Sequence, residues 1–206
     1  VYYCARRLGG KDEATHHSDE QHVSYTSVKD WALIELTENV KGRKPFAVGN
    51  GRLIVSGRAV IVAGHPNGLP TKIAANASIQ SVSGDFFRTN LDVFSGNSGS
   101  AVLDFETKLI LGIVSRGPAD FSFDPKTGEW KPVQTGAHGE LEAPEVASSI
   151  TNALPALAAI SPQAKAMWED QKKIDQKARE DFEKLTRRIN AGLKKLPSPG
   201  EIFKFK

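Results

Sequence analysis

Cysteine is almost absent. Cys4 is the only one in 206 residues, so no intrachain disulfide can form, and a single thiol near one end says little about redox compartment. The ligand clusters a structural zinc site needs are missing too. Of the histidines, His16, His17 and His22 sit in a polar stretch where solvation is expected, and His65 and His138 stand alone. No metal and no cofactor is expected. Long hydrophobic runs are also lacking: the longest apolar stretch, "NALPALAAI", is short and contains Pro155, so no transmembrane segment is expected. A large excess of one sign of charge is lacking as well. The net charge is +3. Residues 161–206 carry 12 Lys or Arg against 7 Asp or Glu, and the remainder 15 against 17. That is too weak a basic balance for nucleic-acid binding. A nucleic-acid- or membrane-binding helix would rest on the tail's charge alone, and its face has few aromatics beyond Trp168 and Phe182.

What is present reads as β structure. There are 18 glycines, and short runs of β-formers lie between them. Residues 1–8 open as a strand, which leads to the expectation that the natural chain begins further upstream. Residues 9–22 are polar and read as a loop. "VSYTSVKDWALIEL" holds a polar turn at Lys29–Asp30 followed by a strand. "GRLIVSGRAVIVAGHP" and "TKIAANASIQSVSGDFFRTNL" give further strands. "SAVLD" and "LILGIVSRG", separated by "FETK", read as a hairpin. Residues 117–142 read as a long surface loop, and Pro144–Leu154 as a short helix. The character changes after residue 161. Met167, Ile174, Ala178, Phe182, Leu185, Ile189 and Leu193 recur at helical spacing, with Pro162 suited to the start and Pro197 to the end. A stripe of this kind is expected to face its own domain or a partner chain rather than water.

One segment carries chemistry. In "FSGNSGSAVLD", Ser98 lies between Asn97 and Gly99 just before a strand. A nucleophilic serine needs a tight turn that exposes its hydroxyl, with backbone amides aimed at the oxygen that becomes negative. Gly96 can adopt a backbone conformation closed to other residues, and Gly99 leaves room for a substrate carbonyl. On residues alone, an ordinary glycine-rich β-turn competes with this reading, and a capping or turn role competes for Asp30.

"GNSGS" resembles the nucleophile motif of the trypsin-like serine proteases, in their bacterial glutamyl-endopeptidase-like branch. Three further segments agree in order: "DWALIEL", which resembles the segment starting on the catalytic aspartate; "VAGHPNG", similar to a Gly-aromatic-Pro-x-Gly turn with His65 in the aromatic place; and "LILGIVSRG", which resembles the strand lining the primary specificity pocket. The resemblance covers roughly residues 23–155. It implies an all-β, trypsin-like double β-barrel with an incomplete N-terminal barrel and a long C-terminal amphipathic helix. The protease domain would span 1–160 and a basic helical extension 161–206.

The resemblance also implies roles. Ser98 would attack the scissile carbonyl, Asp30 would orient a histidine, and the Gly96 and Ser98 amides would form the oxyanion hole. Ser115, Arg116 and Gly117 would bind substrate. Asp92 stands six residues before Ser98, where trypsin keeps its selector for basic side chains. Arg116 argues instead for an acidic one, or the two charges pair with each other. Asn97 stands where the digestive enzymes have the aspartate that meets the freed N-terminus, so activation by that ion pair is not expected. The family's histidine precedes the aspartate by some thirty to fifty residues, so the base is expected upstream of residue 1 rather than at His16, His17 or His22. The function implied is a secreted or periplasmic serine endopeptidase acting on protein or peptide. A non-catalytic binding protein of the same fold is the alternative.

Overall fold

The computed structural model describes residues 4–18, 23–133 and 144–193. Two strands come first, β1 (Cys4–Ser18) and β2 (Val23–Leu36). They pair antiparallel from Cys4↔Leu36 to Ser18↔Val23, with register shifts that bend the ribbon. Residues 9–18 are therefore strand rather than loop. His22 lies outside the described residues, as does His138.

Six strands close into a barrel: β3 (Ala59–Gly64), β4 (Lys72–Ser83), β5 (Phe86–Thr89), β6 (Ala101–Asp104), β7 (Ile110–Arg116) and β10 (Glu145–Ser149). The order is β10-β5-β4-β3-β6-β7, and β10 also pairs with β7 to close the ring. β3 shows why the chain takes this form. In "AVIVAG", Val60, Val62 and Gly64 point inward at the two-residue period of a strand. The core joins Val60, Val62, Ile79, Phe87, Val102 and Leu111. Burial of each large side chain stabilises the fold by roughly 1.5–3 kcal/mol before entropy is counted. Gly112 lets the wall close on this core, because a Cβ there would lie 2.6 Å from the Ser148 carbonyl oxygen and 2.7 Å from the Phe87 ring.

The sixth strand was hidden in the sequence. "EVASS" is buried at all five positions, so it has no polar face and no alternation to read, and the expected helix over Pro144–Leu154 starts only at Leu154. A short hairpin, β8 (Phe121–Asp124) with β9 (Glu129–Pro132), occupies part of the expected surface loop. Two helices follow, α1 (Leu154–Ala158) and α2 (Pro162–Leu193).

The expected all-β double barrel does not form. Among the described residues one barrel closes, and 37 residues lie in the two helices. The segment before β3 supplies two long strands and then an irregular stretch from 37 to 58. A two-stranded ribbon leaves both edges unpaired and cannot curve back on itself. It leans on the barrel instead. Val28 packs with Phe86 and Val146, the Asp30 amide donates to Ser148 Oγ at 3.2 Å, and Ser27 Oγ donates to the Asp85 carboxylate.

α2 starts where Ser161 Oγ accepts the Ala164 amide at 3.3 Å. Its first half docks on the barrel. Gln171 Oε1 accepts the Gly51 amide at 2.7 Å, and Asp170 takes Asn50 Nδ2 at 2.7 Å and Arg52 at 2.8 Å. Met167 and Ile174 are half-buried, but Phe182 is 69% exposed and Ile189 53%. Within this chain the stripe meets the barrel through Met167 and Ile174, and from Ala178 to Ile189 it is exposed, so its expected cover there would have to be a partner chain. At about 1.5 Å per residue a helix of this length outruns a small barrel.

Candidate active site

Ser98 sits in the turn between β5 and β6 and is exposed. Gly96 has φ +92° and Gly99 has φ +86°, values that side chains with a Cβ rarely adopt. Asn97 between them is buried, and its Nδ2 donates to the Phe94 carbonyl at 2.9 Å. The chain around Ser98 is tied to β7 by the Gly99 amide on the Val114 carbonyl at 2.8 Å and the Val114 amide on the Ser100 carbonyl at 2.9 Å. The "HPNG" turn braces it from the other side, where the Asn67 amide donates to the Ser95 carbonyl at 2.7 Å. A Cβ at Gly96 would lie 3.0 Å from the Asn67 amide nitrogen and 3.1 Å from the His65 carbonyl oxygen. A Cβ at Gly64 would collide with the Asn97 side chain. Among the described residues, the amides of Gly96 and Ser98 make no hydrogen bond, so both are available to an incoming oxygen.

Asp30, half-buried on β2, accepts the Ser115 hydroxyl of β7 at 2.6 Å. Ser115 and Ser98 line one cleft of about 150 Å³ together with Phe94, Gly117, Asp120 and Glu145. The structure thus brings Asp30, Ser98, Ser115 and Gly117 into one neighbourhood, through a contact the sequence reading did not anticipate, because Ser115 was expected to serve substrate alone. Arg116 borders the same cleft. Asp92 does not. It lines a separate apolar cavity of about 430 Å³ with Val62, Ile73, Phe94 and Phe121.

Glu145 was missed. It is 5% exposed, and burial, with the nearby charges of Asp120 and Asp92 added, pushes its carboxyl up to about 8. Its sequence context, read as a helix start, held no signal. Asp120 was missed as well, and its Oδ2 accepts the Ser95 amide at 2.8 Å.

No imidazole is hydrogen-bonded to Ser98 among the described residues. The His65 ring is exposed and shares a 2.9 Å hydrogen bond with Thr71 Oγ1. His16 and His17 stand opposite Tyr25 and Ser24 on the ribbon, whereas Asp30 faces Asp12. Four or five strand residues of about 3.3 Å each separate those positions. Among the described residues, no group of three or more His, Cys, Asp or Glu side chains is placed to hold a metal ion. No described helix is long and apolar enough to cross a membrane.

A family model of the trypsin-like peptidase domain matches residues 5–113, more than half of the chain, which therefore belongs to that family. The match ends two residues before Ser115, and the glutamyl-endopeptidase branch expected from the motifs is finer than it reaches. Among solved structures, the HtrA-type protease AlgW, determined with a decapeptide, is similar at 19% identity and a TM-score of 0.43 over 77% of this chain. The chain spans 41% of that protein's length. An inactive form of the M. tuberculosis Rv3671c protease is similar at 20% identity and a TM-score of 0.42, over 72% of this chain and 65% of its own. No curated protein matches the chain.

Proposed function

We propose that the chain belongs to a serine endopeptidase that cleaves protein or peptide substrates through an acyl-enzyme on Ser98. The observation that carries this reading is the exposed Ser98, set between two glycines of positive φ, with two unengaged amides beside it and Asp30 linked into its cleft through Ser115. Ser98 Oγ bonds to the scissile carbonyl carbon while an imidazole takes its proton. The oxygen that turns negative is held by the Gly96 and Ser98 amides. The C–N bond then breaks as the proton passes to the leaving amine, and water releases the acyl group by the same path. Asp30 holds the imidazole in place and supports its charge. Ser115 and Gly117, at the open end of β7, pair with extended substrate backbone. The imidazole comes from outside the described residues. A secreted or cell-envelope location is part of the same proposal, on the strength of the motifs.

A specific observation favours the second reading, a protease-fold protein that binds without cutting: no described imidazole reaches Ser98. A fluorophosphonate probe on the whole natural protein separates the two. Catalysis predicts an adduct mapped to Ser98, absent in Ser98→Ala. A folded protein that takes no label and cleaves nothing in a broad peptide library would leave the binding reading.

A further inference from the structure

The cleft beside Ser98 differs from an ordinary surface notch in what it buries. Glu145, on β10, is 5% exposed and contributes to the cleft lining. Among the described residues its carboxylate accepts no hydrogen bond. Gly117 directly follows β7, and a Cβ there would lie 2.1 Å from a Glu145 carboxylate oxygen. The glycine thus opens the space into which the carboxylate projects. Burying an ionisable group with no partner is costly, so its presence here asks for a ligand that supplies one.

The surrounding charges say what kind. Asp120 lines the same cleft, with one oxygen held by the Ser95 amide. Asp92 approaches from the segment after β5 and acts on Glu145 through space. Among the described residues, the cation bordering the cleft is Arg116, whose backbone pairs across the ladder with Val146 rather than Glu145. Arg116 and Glu145 both line the cleft. Among the described residues no ion pair joins them.

We infer that this cleft is a cation-selecting subsite in which Glu145, assisted by Asp120, receives a lysine or arginine side chain of the substrate. The inference rests on the proposed protease reading for the identity of the ligand as a peptide side chain. The chemistry of the subsite, a buried carboxylate awaiting a cation, stands on the geometry. A planar guanidinium can give a carboxylate two parallel hydrogen bonds. Asp92 is not the selector, because it lines the neighbouring apolar cavity.

Two measurements on the full chain test this apart from the protease reading. In the first, n-butylguanidinium and its neutral counterpart n-butylurea are titrated by NMR. The cation binds with shifts at Ser95, Ser115 and Gly117, butylurea binds at least about tenfold more weakly, and Glu145→Gln removes the difference, as expected when a charge-assisted pair becomes a neutral one. Wild-type protein alone adds a second readout, should Glu145→Gln fold poorly. Glu145 shares its surroundings with Asp92, Asp120 and Arg116, and its own carboxyl is pushed up to about 8. Affinity for butylguanidinium therefore rises between pH 6 and 9, and affinity for butylurea does not. Equal binding of the two probes, or a preference unchanged by both pH and Glu145→Gln, overturns the subsite. The second measurement is fluorophosphonate labelling of Ser98 in the whole natural protein. Cation selectivity without labelling leaves the subsite standing and removes the protease reading, and labelling without cation selectivity does the reverse.

Discussion

Asp30 takes the Ser115 hydroxyl at 2.6 Å, and its amide is fixed on Ser148 at 3.2 Å. Both hold the carboxylate in one orientation. Ser115→Ala removes one hydrogen bond to a charged group, a loss of about 1.5 kcal/mol or roughly tenfold in rate. Fluorophosphonate labelling of Ser98 in the whole natural protein should slow by about that factor, and by considerably more in Asp30→Asn, where the charge itself is lost. A second carboxylate, Asp104, is fully buried and held by Arg58 at 2.5 and 3.0 Å and by Thr107. Those bonds hold its carboxyl far below the usual range despite burial. A depressed folded-state value means that the stabilisation is present above about pH 4 and is lost as the solution becomes more acidic. Asp104→Asn should lower stability at pH 7 by about 2 kcal/mol, with the gap to wild type narrowing in acid, as denaturant melts at both pH values would show. Glu145 has the opposite sign. Its carboxyl is pushed up to about 8 from an ordinary value of 4.5, so the folded state holds a proton the unfolded chain gives up. Stability therefore declines as pH rises through that window. Glu145→Gln should raise the melting temperature at pH 9 and leave it nearly unchanged at pH 4. A thermal melt that moves equally at both would contradict the assignment.

Within β7, Gly112 faces Phe87 and the Ser148 carbonyl. Gly112→Ala pushes against backbone on one side and a ring locked in the core on the other, so it should cost about 1–3 kcal/mol and widen the seam between β7 and β10. Those two strands carry Ser115 and Glu145, so amide exchange should speed up along both before the whole barrel opens. α2 divides at its middle. Gln171→Ala strips the Gly51 amide of its partner in a buried place, a loss of about 1–2 kcal/mol. Leu185→Gln and Ile189→Gln, on the exposed half, should change the chain's stability by less than about 0.5 kcal/mol. Chemical denaturation of the two sets would show whether the helix acts as one packed element or as two halves with different surroundings.

At the scale of the whole molecule, the glycine-flanked turn at Ser98 was the most legible feature. "GNSGS" before a short strand defines a tight turn by glycine placement, and nothing beyond a few residues is needed to read it. "AVLD" and "LILGIVSRG" were legible for a similar reason, since a short connection forces neighbouring strands to pair. The start of α2 was also visible, from Pro162 and the apolar spacing. These are local properties, set by backbone sterics and side-chain period, so sequence alone determines them. The rest was decided by contacts between distant segments. "EVASS" becomes a strand only because β5 and β7 offer two edges to fill, and its polar residues are buried against groups more than thirty residues away. The N-terminal strands stay a ribbon because closing a barrel depends on how many strands are present and no single strand reports that number. Asp30 meets Ser115, and Glu145 comes to share a cleft with Ser98, through the closing of the ring by β10 and the docking of β2 against it. Pattern along the chain records which residues avoid water, and the tertiary structure decides which buried polar groups end up facing one another.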